Sequence, residues 1–252
     1  MDILYIVGAG CSRCNDFELR MSLRSIAMYG KNVGRVFVCG HCPDWLSDEV
    51  VKLPLDTVPA EDSIGKGNDM LRKILHAVDH SDISDEFLCS MDDHFYVRET
   101  DFDNYPWYVR TYADGDNGEL PSGEQKTEYK RYLALSREFL ESQGLPTLNF
   151  TLHRNMHLSR GTITECRDLL DRVLEAVTPV EPFVLINNFQ HARHGIDYTV
   201  IKDVKLRGGI DWWKTDPRDT EVFSTPNFEP GLGLYTLISG LYVEPSKYEN
   251  HV

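Results

Sequence analysis

The sequence has no run of about 18 apolar residues, which excludes a helix that spans a membrane. Its opening, Met1-Asp2-Ile3-Leu4-Tyr5-Ile6-Val7-Gly8, lacks the basic region and small-residue cleavage site of a signal peptide. It reads as a buried strand, and the expected location is the cytoplasm. Positive charge is scarce: 26 Lys and Arg stand against 40 Asp and Glu, a formal charge of −14. A protein that grips DNA mainly through its phosphates carries the opposite sign, so the balance counts against a large nucleic-acid footprint and leaves a local basic cleft open. There is no internal repeat and no low-complexity tract.

What is present suits an α/β core. The 252 residues are 41% hydrophobic, enough for one sizeable core with or without a small appended lobe. Residues 2–7 are rich in Ile, Leu, Tyr and Val with little alternation, the pattern of a central parallel strand. Asp16 to Gly30 carries Leu19, Leu23 and Ile26 at helical spacing and ends on a glycine stop. A second strand, Arg35–Cys39, completes a βαβ unit. Val50–Leu55 then reads as strand, Asn68–Val78 as helix, and Glu86–Met91 as another buried strand. Beyond a polar loop over 101–123, Glu124–Gln143 and Thr162–Val177 read as helices, the latter opened by a Thr162…Glu165 capping box. Asn149–Arg154, Phe183–Ile186 and Tyr198–Leu206 read as strands. The tail from Arg207, with Trp212-Trp213, reads as an extension packing across the domain.

Glu86–Met91 runs directly into Asp92-Asp93-His94, so this triplet falls where open α/β sheets place their ligands. Two carboxylates and an imidazole suit Mn²⁺ or Mg²⁺. On an extended strand Asp92 and His94 face one way and can ligate together; if the strand ends there, Asp93 alone holds the metal; an exposed polar turn is the bland alternative. Lys66-Gly67-Asn68, placed ahead of a helix, offers backbone amides to a phosphate or ribose. Arg20, Arg24, Lys73, Lys202 and Lys205 are further cations near the expected strand ends. Singly each is a surface charge; gathered in one cleft they would bind an anion. Cys11-x-x-Cys14 and Cys39-x-x-Cys42 have the paired spacing of a structural Zn²⁺ site, with reduced buried thiols as the other reading. His191 and His194, in an expected turn, are candidate third metal ligands.

The stretch Glu18–Ile26, with Arg35-Val36-Phe37-Val38 and Pro43-Asp44-Trp45-Leu46, resembles the opening of the Stealth-type capsular sugar-phosphate transferases. It is more similar still to small bacterial and phage glycosyltransferases of the GT-A type. Phe87–Phe95 matches the strand-end motif FLxxNDDxF of both groups, with Met91 where they carry asparagine. Asn149–His153, Asp203–Leu206, Phe223–Thr225 and Pro245–Glu249 extend the similarity over nearly the whole chain, with Asn155 where the relatives often carry proline.

The resemblance implies a GT-A, Rossmann-like mixed sheet flanked by helices, one domain over 1–252. Residues 1–100 would form the nucleotide-sugar half, and 101–252 the acceptor half and tail. Gly8, Arg20, Arg24, Lys66, Asn68, Lys73, Asp92 and Lys205 would serve the donor. Asp92, Asp93 and His94 would hold the metal, and Asp93, His153 and Asp203 are the candidates for the chemistry. The implied activity is metal-assisted transfer of a sugar from a nucleotide-diphospho-sugar, a UDP-sugar foremost. The acceptor would be a hydroxyl on a glycan or on a hydroxymethylated base in phage DNA. The alternatives are sugar-phosphate transfer and a non-catalytic nucleotide-sugar binding module.

Overall fold

The structure is a computed structural model that describes residues 1–8, 15–112, 117–206, 219–225 and 233–250. Its first half runs β1 (Asp2–Val7), α1 (Phe17–Tyr29), β2 (Gly30–Lys31), β3 (Val36–Gly40), β4 (Val50–Pro54), α2 (Ser63–His80), β5 (Glu86–Met91) and β6 (His94–Tyr96). There follow β7 (Thr100–Asp101), β8 (Trp107–Arg110), α3 (Glu128–Ser142), β9 (Met156–Ser159), α4 (Arg160–Glu165) and α5 (Arg167–Glu175). The last elements are α6 (Pro182–His194), β10 (Tyr198–Ile201), β11 (Val222–Ser224) and α7 (Gly233–Leu241).

The central sheet has the order β4-β3-β1-β5-β9. Its first four strands are parallel, with Tyr5 beside Val38 and Ser90, while β9 closes the edge antiparallel, Leu88 opposite His157. Side chains of β1 divide between two cores, as a strand buried on both faces must. Leu4 and Ile6 join Phe37, Cys39, Leu71 and Ile74 on one face. Ile3, Tyr5 and Val7 join Leu19, Leu23 and Ile26 of α1 on the other. A third cluster sets Phe17 against Phe95, Phe223, Leu234 and Ile238, and Glu249 bridges to Leu46, so the described part of the tail packs on the domain as the sequence suggests.

Several local readings change. α2 starts at Ser63, with the Asp62 carboxylate accepting from the Gly65 N–H. Lys66-Gly67-Asn68 therefore lies inside the helix, and the Lys66 amide is spent on the Asp62 carbonyl. The exposed first turn carries no apolar rhythm, so periodicity alone starts the helix too late. Thr162–Val177 is two helices meeting at Cys166, and the N-cap is Ser159, which accepts from the Thr162 N–H. Asn149–Arg154 is irregular, and the strand comes after it as β9. Phe183–Ile186 is the buried interior of α6, capped by Glu181 with Pro182 in its first turn. A short apolar run fits a strand or a buried helix equally, and the cap-then-proline pattern decides. Beyond Ile201 the chain leaves β10, and Val204 and Leu206 exchange backbone hydrogen bonds with Ser224. Trp212, Trp213, Cys11 and Cys14 lie outside the described residues.

Candidate active site

β1, β3 and β5 end on one edge of the sheet, and the chain reverses direction about β1, the place where such sheets open a crevice. A cavity of about 800 Å³ fills it. Gly8, the loop 57–61, Lys66, Asp69 and Lys73 of α2, and Asp92 line it. A smaller hollow of about 220 Å³ is lined by Asp93, His94, His153, Glu181 and Lys205. Met70 and Met91 line both, so the two hollows share a wall at the end of β5, with Asp92 on one side and Asp93 on the other.

Lys73 orders the larger cavity. It is 1% exposed, and its Nζ donates to Asp69 Oδ2 at 2.5 Å and Thr57 Oγ1 at 2.8 Å. Asp69 Oδ1 accepts the Val58 N–H at 2.9 Å, so one buried ion pair ties the loop 57–61 to α2. Gly40 makes room for this lysine: its φ is +110°, and a Cβ there would lie 2.1 Å from the Val7 carbonyl and 2.9 Å from Lys73 Cε.

β5 stops at Met91, Asp92 and Asp93 form a turn, and His94 opens β6. The arrangement with Asp92 and His94 on one face of an extended strand does not occur. His94 is 1% exposed, with Nδ1 3.4 Å from both Ser90 Oγ and the Met91 nitrogen, and Nε2 3.8 Å from Asp93 Oδ1. Burial holds its ring neutral, down to about 3. Among the described residues no three His, Cys, Asp or Glu side chains are arranged to hold a metal, so Asp92, Asp93 and His94 do not form a three-ligand cluster.

Those carboxyls are crowded. Burial first, and then Asp92, push Asp93 up to about 7, against the pull of Lys205. Burial, Asp92 and Asp93 push Glu18, in the first turn of α1, up to about 8. Glu181 caps α6 by accepting the Val184 N–H at 2.7 Å, and burial pushes it up to about 8 as well.

Of the donor residues expected from the sequence, Gly8, Lys66, Lys73 and Asp92 line the larger cavity. Lys205 lines the smaller one beside His153. Arg20 and Arg24 line neither: both grip Glu249, at 2.8 and 2.7 Å, and clamp the tail to α1. Asn68 is in neither lining, and among the described residues its buried Nδ2 has no hydrogen-bond partner. Asp203 lies behind the smaller hollow, where it accepts the His153 N–H and faces Arg154. Of the four cysteines of the expected zinc site, Cys39 packs into one core with its thiol raised to about 12 by burial and Cys42 packs against the opposite one, while Cys11 and Cys14 lie outside the described residues. His191 and His194 sit in the last turn of α6, His194 beside Glu165 at 3.4 Å. Sequence reasoning missed Glu18, Asp69, Arg154 and Glu181. Only Glu181 left a signal, the acid-then-proline start of a helix.

No protein-family model matches the chain, and no curated protein matches it. Solved structures do. Over 98% of both chains it superposes on an active-site mutant of LgtC, with 10% identity and a TM-score of 0.50. Over the same share it superposes on the galactosyltransferase LgtC in complex with donor and acceptor sugar analogues, with 12% identity and a TM-score of 0.50. A parallel-dominated mixed sheet between helices, with its crevice at the strand ends, is thus the fold that this chain has in common with those glycosyltransferases.

Proposed function

We propose that the chain transfers a sugar from a nucleotide-diphospho-sugar, a UDP-sugar foremost, to a sugar hydroxyl. The observation that carries this is the shared wall at the end of β5: a large cavity and a small hollow meet at Asp92 and Asp93. The larger lies within the roughly 300–1,000 Å³ of small-molecule sites. LgtC, of the same fold, has been solved with donor and acceptor sugar analogues, which supports a two-substrate reading. Residues 1–100 supply the donor side through Gly8, Lys66 and Lys73, and 101–252 most of the acceptor side through His153, Glu181 and Lys205. Asp93, His153 and Glu181 line the smaller hollow and are the candidates to take the proton of an acceptor hydroxyl there. A net charge of −14 favours a sugar over a DNA base as acceptor.

A divalent cation fits the donor set. Asp92, Asp93 and Glu18 crowd acidic groups together, with Lys205 drawing on both Asp93 and Glu18, and carboxylate oxygens are hard ligands. Asp92 and Asp93 would hold Mn²⁺ or Mg²⁺, which would neutralise charge growing on the leaving diphosphate. The test is a donor screen with Mn²⁺ that follows nucleoside diphosphate and monophosphate separately, offering simple glycans and hydroxymethylated DNA. Diphosphate release that requires a glycan is the expected result. Monophosphate release would mean sugar-phosphate transfer, and UDP binding without turnover a binding module.

A further inference from the structure

We propose that Arg154 is the positioning residue of the acceptor side: by drawing Asp203 and Glu221 together it seats His153 and Lys205 against Asp93. The inference rests on the glycosyl-transfer reading above. Arg154 is only 7% exposed, and charged side chains are buried to that degree when they are paired. Its Nε lies 3.4 Å from Asp203 Oδ1, its Nη1 3.3 Å from Glu221 Oε2, and its guanidinium 4.4 Å over the Tyr108 ring.

The two carboxylates stand at the entries of two paired segments. The Leu206 N–H donates to the Ser224 carbonyl at 2.8 Å and the Ser224 N–H to the Val204 carbonyl at 3.1 Å. Asp203 immediately precedes the first segment and Glu221 the second. β11 in turn pairs with β6, Ser224 opposite His94, the residue after Asp93. Lys205 thus reaches Asp93 through β11 and β6, and this small sheet begins with two acids that repel unless a cation joins them. The same Asp203 fixes His153, whose N–H donates to Oδ2 at 2.5 Å. The Asp203 side chain is 1% exposed and lines neither hollow, so it positions the site and does not touch substrate.

The experiment compares wild type with Arg154→Gln and Arg154→Lys in three readouts. These are amide hydrogen exchange at His153, Leu206 and Ser224, UDP binding by calorimetry, and steady-state turnover. Arg154→Gln is expected to lose protection at those amides and roughly 100-fold in kcat, the cost of displacing a reacting group by about 1 Å, with UDP affinity unchanged. Arg154→Lys, which keeps the charge but cannot fork to both acids, should recover part of both. Should Arg154→Gln fail to fold, Arg154→Gln with Asp203→Asn removes the most deeply buried stranded charge; low kcat with protection still lost at His153, Leu206 and Ser224 supports the proposal, and low kcat with protection restored at all three overturns it. Wild-type protection and kcat in Arg154→Gln overturn it, as does UDP affinity falling in step with kcat. If the wild type transfers no sugar, the glycosyl-transfer reading fails while the exchange pattern still decides the role of Arg154.

Discussion

The two hollows share a wall and are built in different ways. The larger one hangs on the βαβ core: Gly8, Lys73 and Asp92 follow from strands and a helix whose Leu4, Ile6, Leu71 and Ile74 pack one face of the sheet. The smaller one collects His153, Glu181 and Lys205 from three distant segments, held by a helix cap, backbone pairing and buried ion pairs. Apolar packing is non-directional and tolerates exchange of like for like, whereas a buried polar network holds one arrangement only while each member is paired. Lys73 with Asp69 is the exception on the donor side, a polar pair set into the apolar scaffold.

The largest effect should come from the shared wall itself. Asp93→Asn is expected to lower turnover about 10³-fold and weaken Mn²⁺ binding measured by electron paramagnetic resonance. Turnover that survives would remove the chemical boundary between the hollows. Next, Lys73→Met removes the buried partner of Asp69 and leaves it Arg72, at 3.5 Å, and the Val58 N–H; it should cost about 3 kcal/mol in urea unfolding, the low end for a broken buried pair. A loss below about 1 kcal/mol would show that apolar packing alone holds the donor side.

Titration separates the two sides further. Glu18, Asp93 and Glu181 bind protons more firmly folded than unfolded, so each lowers stability as pH rises from the ordinary carboxylate range through about 7 to 8. Without divalent cations the Tm should fall by at least about 3 °C between pH 6 and 9. Mn²⁺ should restore the share that belongs to Glu18 and Asp93, and Glu181→Gln the rest. A Tm indifferent to both would mean that the acids are not crowded. The smallest effect is expected at the cysteines: protein purified without chelator should carry well under one zinc, because Cys39 is a buried thiol packed in one core and Cys42 packs against the other.

The contrast between the hollows also sorts what was legible in the sequence. Residues 2–7, 35–39, 50–55 and 86–91 announced themselves as strands because buried parallel strands are continuous apolar runs, and Asp92-Asp93 was found because it ends one. Phe183–Ile186 misled because an apolar run of four has no period, and charge near a strand end does not disclose its partner, which for Arg20 and Arg24 is Glu249. Glu18 and Arg154 left no local trace at all.

By itself, then, the sequence determined the main strands and helices as far as β5, the α/β core and the acidic end of β5, since apolar pattern and turn chemistry are properties of neighbouring residues. Only the tertiary structure decided which hollows meet at Asp92 and Asp93, that Lys205 reaches Asp93 through a small sheet, and that Arg154 joins Asp203 to Glu221. Those are relations between segments far apart in the chain, and burial and Coulomb energy act on distance in space, which sequence spacing does not set.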